Sequence, residues 1–594
     1  MAVTIKNLSV DPPQVTNDGR ASFTLSCRVF TSHDHARITH VEVDLSAWNG
    51  PANQPLQLDP KHTLADSAEG DYNVHLDVPL LADPGQYDLP VSARDSDGGV
   101  GKKKVHLQVD YQRPSYTDGL SEPENREAIA RLVERPVVEG NWIEVLVDGW
   151  EAFERRLQLI EAANTQINLE LYYLSDEGQS RRLYQALLDK AGSGVEVNVI
   201  LNSDTQLANT PMGTLRLRFH NLLLDLQSIG QKLEERRQQK EAERDWLQML
   251  SDFGQGKRGI NMILFSGQML RDQGDLHQHP GHSQAVWLQK IRRDKRQEEE
   301  SDWLSSFRGP GGLPALPLLD YAVHEKILVV DGEKAIVGGR NIEDPYFQHW
   351  IDEDLYLEGP IVEQIQRGFL RNFVEFAQGI DNVKPATELI GDVAPRGDTP
   401  ALFVQSRPWR RDYDTMQALI TAIQMAQHRI YASSQYVILP DVLLRDALFD
   451  AAARGLDIRI LTNSHQTCQE VGFSTGYYIS LNYFAELLNA GIKLYEISGS
   501  NQPDAPQPYY HAKEFLIDGE MTAIGSFNLS IRSCYIESEN LVFCFDKKLT
   551  AQQEALFQER LEHKAEQITQ ERLRHLIQQH KSKTDLARYV ELLY

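Results

Sequence analysis

Residues 324–341 read HEKILVVDGEKAIVGGRN, and residues 511–528 read HAKEFLIDGEMTAIGSFN. Each stretch begins with His, has Lys after one further residue and Asp after four more, and ends on an Asn 17 residues beyond the His. An acidic residue follows 11 positions after each Asn, Asp352 in the first copy and Glu539 in the second. The same register of these five positions, found twice, indicates an internal repeat.

The sequence around each copy alternates between helical and strand-like segments. The first half contains IEAANTQI, INLELYYL, RRLYQALLDKAGSG and VEVNVILNS, and the second contains ITAIQMAQHRI, IYASSQYVI, LLRDALFDAAARG and LDIRILTNS in the same order. Helix, strand, helix and strand in this order are typical of layered α/β domains. The pattern therefore predicts an α/β fold of two pseudo-symmetric α/β/α lobes.

Counting places an insertion in the first half. Ile167 aligns with Ile430 at an offset of 263, whereas His324 aligns with His511 at an offset of 187, so the first half carries 263 − 187 = 76 extra residues. They fall within about 204–320, a stretch that opens with a highly charged helical pattern. The predicted domains are residues 1–110 as a β-sandwich, 111–140 as a linker with a short helix, 141–395 as the first lobe with this helical insertion, and 396–594 as the second lobe with C-terminal helices.

The N-terminal region has a different pattern of apolar and polar residues. Short alternating runs such as VTIKNLSV and ASFTLSCRVF are separated by turn clusters such as NDG and DSDGG, which predicts an all-β sandwich. The stretch DPGQYDLPVSARDSDGG resembles the late strands of bacterial immunoglobulin-like modules. Asp95 and Asp97 are candidates for a calcium site, but aspartates before a Gly-Gly turn more often accept hydrogen bonds from the backbone, and that interpretation is favoured.

Composition limits the partners and the compartment. There are 85 acidic and 60 basic residues, and the net charge of -25 counts against nucleic acid as a partner, because affinity for nucleic acid depends on Lys and Arg contacts to phosphate. His277, His279 and His282 are close enough in sequence to suggest zinc, but no fourth ligand has a familiar spacing, and a loop is favoured. No Sec-type signal peptide or membrane-length apolar segment is found. A cytoplasmic or peripheral membrane protein is expected, with export by a non-Sec route left open.

The two motifs have the composition of a phosphodiester site. Because side chains alternate along a strand, the His and Lys of each motif point to the same side. Two such pairs, brought together by a pseudo-twofold axis, combine imidazole, ammonium and amide groups. The ammonium and amide groups can stabilise charge on non-bridging phosphate oxygens, while one His attacks phosphorus and the other transfers protons. The predicted catalytic residues are His324, Lys326, Asn341, His511, Lys513 and Asn528.

The remaining motif positions have supporting roles. A carboxylate that accepts from the second ring nitrogen orients a catalytic imidazole, and we expect Asp352 and Glu539 to act in this way. Asp331 and Asp518 each precede a Gly, and structural support of the turn is the favoured interpretation. Gly339 and Ser526 are also expected to be structural.

The two stretches resemble the paired HKD motifs of the phospholipase D superfamily, and the resemblance covers about residues 141–594. It implies that His324 is the nucleophile, that His511 is the general acid and base, and that neither a metal nor another cofactor is needed. The segments GGRNIEDPYF, DEDLYLEGPIV, GYYISLNYFAELLNAGIKLYEI and NLSIRS resemble bacterial cardiolipin synthases more closely. Two positions depart from that branch, since Ser530 replaces the usual Asp and Glu537 replaces a frequent Asn.

The expected function is that of a phospholipase D-type enzyme acting on glycerophospholipids through a covalent phosphohistidine. Hydrolysis to phosphatidic acid and cardiolipin synthase-like transfer to an alcohol are both expected, because water and alcohol compete for one intermediate. Two alternatives stay open, a nuclease or other phosphodiesterase of the same superfamily and a non-catalytic membrane-surface binding protein. The expected partner is a phospholipid at a membrane surface, and the sequence does not fix the oligomeric state.

Overall fold

The fold is known from a computed structural model of the chain. It describes residues 3–46, 50–59, 68–116, 119–120, 122–175, 178–202, 259–265, 321–378, 383–389, 391–410, 412–439, 442–471, 474–500 and 505–587. These residues form two compact units, the first built on Met1–Tyr116 and the second holding most of the chain from Thr117 onward.

The first unit is all-β. Its strands are β1 (Val3–Asp11), β2 (Gln14–Thr16), β3 (Ser22–Thr31), β4 (Ile38–Val43), β5 (Gln54–Pro55), β6 (Gln57–Leu58), β7 (Glu69–Asp77), β8 (Gly85–Asp95) and β9 (Val100–Asp110). They form one sheet in the order β1-β3-β7-β6 and another in the order β2-β9-β8-β4-β5. Alternate residues of both sheets, such as Leu25, Val29, Leu89 and Leu107, share one hydrophobic core. The all-β prediction is confirmed, and the likeness to immunoglobulin-like modules stays a prediction.

The favoured interpretation of Asp95 agrees with its contacts. Its carboxylate accepts hydrogen bonds from the backbone of Asp97 and Gly99 at 3.1 and 2.6 Å and from the Thr31 hydroxyl at 2.6 Å. The ring of His33 lies 3.0 Å away. The Asp95 carboxylate therefore ties the turn to the neighbouring strand.

The later part of the chain alternates helices and strands. Its helices are α1 (Pro123–Leu132), α2 (Gly149–Ala162), α3 (Gly178–Gly192), α4 (Asp344–Gln348), α5 (Ile361–Phe376), α6 (Asp414–Met425), α7 (Val442–Ala453), α8 (His465–Val471), α9 (Ser474–Asn489), α10 (Ile531–Tyr535), α11 (Lys547–His563), α12 (Gln570–Gln579) and α13 (Lys581–Ala587). Its strands are β10 (Val138–Leu146), β11 (Gln166–Leu171), β12 (Glu196–Asn202), β13 (Ile260–Phe265), β14 (Ala322–Val323), β15 (Ile327–Val330), β16 (Lys334–Gly338), β17 (Asp354–Glu358), β18 (Thr399–Ser406), β19 (Arg429–Ser433), β20 (Asp457–Asn463), β21 (Lys493–Ile497), β22 (Glu514–Ile517), β23 (Met521–Gly525), β24 (Glu537–Cys544) and β25 (Ala565–Ile568).

These strands form one continuous sheet in which the second half repeats the first. The order is β13-β12-β11-β15-β16-β17-β10, followed by β18-β24-β23-β22-β19-β20-β21-β25, and β14 pairs with β24 beside this path. In each half three parallel strands continue into an antiparallel ladder of four, and β10 joins β18 between the halves. The predicted α/β fold with a repeated topology is confirmed.

Burial explains why these segments form the inner layer. Every residue of β11 and β24 is buried, as expected for strands covered on both faces. Helix α5 has eleven buried residues along its sixteen, and its apolar side chains pack on the ladder of strands around β15, β16 and β17. The two motifs thus lie in the buried inner layer of the fold.

Some predictions lie outside the described residues, and two segments differ from expectation. The charged helical stretch of the insertion and the three clustered histidines His277, His279 and His282 are not described. Within the insertion, β13 is a core strand parallel to β12, at the position that β21 has in the second half. In the C-terminal tail, read as helical, β25 pairs antiparallel with β21 between two helices. The domain boundaries stay predictions. Among the described helices, none combines the length and the apolar character needed to cross a membrane.

Candidate active site

The first histidine is held by a strand from the other half of the repeat. His324 follows β14, whose residues Ala322 and Val323 pair with Glu537 and Ser538 of β24. The backbone N–H of His324 donates to the carbonyl of Ser538 at 3.1 Å. The imidazole is buried, and its ring contacts the Tyr172 ring edge-on, with the centroids 4.9 Å apart.

The second histidine has the equivalent arrangement. Tyr510 forms a parallel bridge with Ile351, and the backbone N–H of His511 donates to the Ile351 carbonyl at 2.8 Å. Ile351 and Ser538 are the residues directly before the two acids, Asp352 and Glu539. Each motif is therefore anchored to the segment of the opposite half that carries an acidic residue.

Each acid contacts the histidine of the other half. The Nδ1 atom of His324 lies 3.0 Å from both carboxylate oxygens of Glu539, and the Nδ1 atom of His511 lies 2.7 Å from Oδ2 of Asp352. All four side chains are buried. Sequence analysis predicted that these two acids orient histidines but did not pair them, and the structure pairs each acid with the histidine of the other motif. In both rings the contact with the acid is made by Nδ1 and not by Nε2.

Several residues that sequence analysis missed hold the acids in place. Ser533 donates its hydroxyl to Glu539 Oε1 at 2.5 Å. The guanidinium of Arg340 is fully buried, donates to Asp354 Oδ2 at 2.7 Å and also donates to the backbone carbonyl of Asp352. The only sequence signal for Arg340 was its position beside the motif Asn341 in GGRN.

Gly339 and Ser526 lie directly against the acids' segments. A Cβ atom on Gly339 would lie 2.2 Å from Oδ1 of Asp352, so a larger side chain would displace that carboxylate. Ser526, at the same motif position, donates its backbone N–H to the Asn540 carbonyl at 3.0 Å, and its hydroxyl accepts from the Asn540 backbone at 3.0 Å. Both positions therefore set the path of the chain that bears the acids.

Both motif lysines are buried beside the histidines. Each Nζ donates to the backbone carbonyl of its own motif His, and Lys326 Nζ also lies 5.3 Å from the Tyr172 ring centroid. Burial lowers the pKa of Lys326 to about 8 and that of Lys513 to about 7, with the nearby carboxylates opposing the shift. Two buried lysines whose pKa values are lowered by burial are stabilised in their charged form by a nearby anion.

The imidazoles are held in their neutral forms. Burial, followed by the charges of Lys326 and Lys513, lowers the pKa of both His324 and His511 well below the usual value. Burial also raises the pKa of Asp352 to about 6 and raises that of Glu539, where Glu537 adds to the shift. With Nδ1–H directed at the acid, a neutral imidazole presents the Nε2 lone pair that a nucleophile or a base requires.

The His511 Nδ1 atom has a second neighbour at the same distance as Asp352. Lys513 Nζ lies 2.7 Å from it. An ammonium can only donate, and Nδ1 cannot both donate to Asp352 and accept from Lys513. We assign the Nδ1 proton to the Asp352 contact, because this satisfies a buried carboxylate and leaves Nε2 as the acceptor.

The two motif asparagines, Asn341 and Asn528, make different hydrogen bonds. Asn341 donates through Nδ2 to the Tyr346 hydroxyl at 2.9 Å and accepts the Tyr173 N–H at 3.1 Å. Asn528 accepts the Gln435 N–H at 3.4 Å, but its Nδ2 atom is buried and has no hydrogen-bond partner within the described part of the chain. Such a donor is available for a phosphate oxygen.

The motif aspartates, Asp331 and Asp518, accept hydrogen bonds from the backbone. Asp331 accepts the backbone N–H groups of residues 164–166 at 2.8–2.9 Å, and Asp518 accepts those of residues 427–429 at 2.7–2.8 Å. Both have positive φ values, 55° and 57°. Their carboxylates thus accept hydrogen bonds from the backbone at the start of β11 and of β19, and a structural role stays the prediction for both.

One group of side chains has the spacing of a metal site. Ligand atoms of His324, Glu537 and Glu539 lie within 4.8 Å of one another. Each carboxylate already has a donor, because Arg532 Nε lies 2.6 Å from Glu537 and His324 itself faces Glu539. A metal bound through Nδ1 would take the place of the Glu539 contact, so the donor set fits an oriented imidazole better than a metal centre.

Comparison with known proteins identifies the family. The family described as "Cardiolipin synthase, PLD-like domain" matches residues 157–373 and 419–561. The chain belongs to this family. Both matched segments contain one complete HKD motif together with its acid, so the predicted membership of the phospholipase D superfamily, in its cardiolipin synthase-like branch, is confirmed.

Individual relatives show how far the similarity extends. A cardiolipin synthase from Halalkalibacterium halodurans is 25% identical over 425 residues, which cover 70% of this chain and 65% of that protein. A cardiolipin synthase from a Geobacillus species is 26% identical over 471 residues, 77% of this chain and 74% of that protein. Among solved structures, the phosphatidylserine synthase of Haemophilus influenzae Rd KW20 is 12% identical, with a TM-score of 0.46, and the match covers 80% of this chain and 100% of that one.

The two departures from the branch have structural explanations. Ser530 caps α10, where its hydroxyl accepts the Ser533 N–H at 3.2 Å, a role that Asp also fills at helix N-termini. Glu537 forms a buried ion pair with Arg532, and its other oxygen lies 3.9 Å from His324 Nδ1. The catalytic roles of the motif residues stay predictions.

Proposed function

We propose that the protein is a phosphatidyltransferase that carries a phosphatidyl group as a covalent phosphohistidine on His324. The observation that carries this proposal is the pair of buried imidazoles, each with Nδ1 on a carboxylate of the opposite half. They share their pocket with two lysines and two motif asparagines. Such a centre can divide a phosphodiester exchange into two displacements at phosphorus. Its substrates are glycerophospholipids presented at a membrane surface, to which the protein binds peripherally.

In the first displacement, the Nε2 lone pair of His324 attacks phosphorus. The bond from phosphorus to the alcohol oxygen of the head group breaks, and that oxygen takes a proton from Nε2 of His511. Lys326, Lys513 and the Asn528 amide neutralise the non-bridging oxygens. The anionic phosphodiester also offsets the charge of the lysines, which lets His511 hold the proton that it donates.

In the second displacement, an alcohol oxygen attacks the phosphohistidine. Its proton passes to Nε2 of His511, the phosphorus–nitrogen bond breaks, and the electron pair returns to Nε2 of His324. The net reaction exchanges one alcohol for another on the same phosphoryl group. A hydroxyl of a second lipid gives a cardiolipin-like product, and water gives phosphatidic acid.

The test is a product analysis on lipid vesicles. The protein is incubated with liposomes of phosphatidylglycerol and phosphatidylethanolamine, with and without ethanol or glycerol, and the lipids are identified by mass spectrometry. We expect cardiolipin, phosphatidylethanol or phosphatidic acid from the unmodified protein and none from His324→Ala. The ratio of transfer to hydrolysis products ranks the two activities.

Two results would contradict the proposal. Absence of any new lipid under every condition would exclude phospholipid as the substrate and favour another phosphodiester. Equal product from His324→Ala would show that the phosphohistidine does not form there. Co-sedimentation of the protein with the same liposomes tests the peripheral membrane location separately.

A further inference from the structure

The two short helices that follow the motifs are equivalent. Adding the motif offset of 187 to the ends of α4, Asp344 and Gln348, gives the ends of α10, Ile531 and Tyr535. The same offset places Tyr346 of α4 opposite Ser533 of α10. Each carries a hydroxyl and lies five residues after its motif Asn, but the two hydroxyls have different contacts.

Ser533 serves the acid of the first histidine. Its hydroxyl accepts the Asn528 backbone N–H at 3.0 Å and donates to Glu539 at 2.5 Å. It acts on His324 only through that carboxylate.

Tyr346 reaches the second histidine itself. Its hydroxyl lies 2.9 Å from Nδ2 of Asn341 and 3.5 Å from Nε2 of His511, and its ring meets the imidazole edge-on with the centroids 5.0 Å apart. The Trp350 ring also packs against the phenol, with the centroids 4.4 Å apart. Tyr346 is buried, so these contacts fix the direction of its hydroxyl.

The direction of the hydrogen bonds follows from the donors. The Asn341 amide nitrogen can only donate, so the phenol oxygen accepts there and its own proton is directed to His511. Nδ1 of His511 donates to Asp352, which makes Nε2 the acceptor. Burial, with Glu343 adding to it, raises the pKa of Tyr346 well above its usual value, so the phenol keeps its proton at neutral pH.

We propose that Tyr346 is a positioning residue that holds Nε2 of His511 as a proton acceptor and marks the position of the attacking alcohol. The proposal rests on the proposed function, because it assigns the deprotonation of the acceptor to that nitrogen. The Tyr346 phenol directs its O–H group at Nε2 of His511. The attacking alcohol must direct its own O–H group at the same nitrogen from the same position. The acceptor replaces the phenol as donor when it enters, and the phenol returns after the proton has moved.

Loss of the Tyr346 hydroxyl should change the pKa of His511 in a definite direction. A donor to the neutral imidazole stabilises the neutral form, so its removal raises the pKa of His511. The second displacement needs neutral His511, and its rate therefore rises with pH through that pKa. The other groups that face His511 are unchanged in a Tyr346→Phe variant. They are Asp352, Asp354, Lys326, Lys513, Arg340, His324, Trp350 and Tyr509.

The experiment separates the two displacements with phosphatidyl-p-nitrophenol. This leaving group departs without a proton, so the burst of p-nitrophenol reports formation of the phosphohistidine, and steady turnover reports its transfer. For Tyr346→Phe we expect a normal burst, turnover lowered about three- to tenfold, the effect of one neutral hydrogen bond, and a turnover midpoint at higher pH. Ser533→Ala is the matched control, with a slower burst and an unchanged turnover midpoint. Replacement of Tyr346 by 3-fluorotyrosine, a stronger donor, moves the midpoint to lower pH and does not depend on the folding of the Phe variant.

Each outcome is decisive. A turnover profile of Tyr346→Phe that coincides with that of the unmodified protein, or that moves to lower pH, overturns the role of Tyr346 alone. A slower burst with an unchanged midpoint does so as well. Failure of the unmodified protein to release any p-nitrophenol overturns the proposed function and the role of Tyr346 with it.

Discussion

The crossed pairing of acids and histidines predicts different defects for two similar variants, Glu539→Gln and Asp352→Asn. Glu539 faces His324, so we expect its amide variant to slow formation of the phosphohistidine. Asp352 faces His511, so we expect its amide variant to spare formation when the leaving group needs no proton and to slow the transfer that follows. If each acid served the histidine of its own motif, the two defects would be exchanged.

The size of the Glu539→Gln effect follows from the contacts of the carboxylate. It accepts from His324 Nδ1 at 3.0 Å and from Ser533 at 2.5 Å, whereas an amide has one acceptor oxygen for these two donors. Loss of a hydrogen bond to a charged group costs about 1.5–3 kcal/mol, or about 10- to 150-fold in rate. If the amide NH₂ instead turns to His324, it stabilises the tautomer with the proton on Nε2, and the loss approaches about 10⁴-fold.

Phosphatidyl-p-nitrophenol in mixed micelles provides the assay in a stopped-flow instrument. The unmodified protein is expected to show a burst equal to the concentration of active sites and then steady turnover. Asp352→Asn keeps the burst and loses turnover, while Glu539→Gln loses the burst. Thermal melts of the two variants confirm that both are folded at the assay temperature.

Two results would refute the crossed pairing. A normal burst from Glu539→Gln together with a lost burst from Asp352→Asn would show that each acid serves its own motif. A loss of less than about threefold in both variants would show that neither carboxylate orients an imidazole, since this is below the weakest charged hydrogen bond.

Three further predictions concern the rest of the site. Gly339→Ala places a Cβ atom 2.2 Å from Asp352 Oδ1, and we expect turnover to fall by about 100-fold or more with little change in the thermal melt. Asp518→Ala leaves three backbone N–H groups without their acceptor, so the free energy of unfolding should fall by about 1–3 kcal/mol, measured by urea denaturation, while the turnover of the folded protein is retained. Lys326 and Lys513 have pKa values lowered to about 8 and about 7, so they lose charge as the pH rises through that range. We therefore expect kcat/KM for an anionic phosphodiester to fall over the same range. The fall should be smaller in a Lys513→Arg variant, because Arg keeps its charge.

The repeat made most of the fold accessible from sequence. The offset of 187 between His324 and His511 carries through the motif strands, the acids and the short helices after them, so one half predicts the other. Strands β11 and β19, with the helices around them, were readable because helical and strand-like segments follow one another in the same order in both halves. Strand β13 was hidden because its six residues lie within a long insertion whose counterpart in the second half is much shorter.

The pairing within the site was not readable in the same way. Sequence spacing shows that Asp352 and Glu539 belong to the motifs, but it contains no information about which histidine each approaches across the sheet. Tyr346 and Arg340 carried no repeat signal, because the second half has Ser533 and Phe527 at the same positions. Residues that break a pseudo-symmetry are missed by a method that looks for what the halves share.

The exchange of acids also explains why two lobes form one site. A single half supplies an imidazole, an ammonium and an amide, but its histidine takes both its backbone anchor and its orienting carboxylate from the other half. Separation of the halves would remove the contact between each imidazole Nδ1 and its carboxylate, so neither half could orient its own histidine in this way. Catalysis by two displacements needs the histidines to differ, and the shared motif does not make them differ. One such difference lies at an equivalent position of the two halves, where Ser533 donates to the acid beside His324 and Tyr346 lies next to Nε2 of His511.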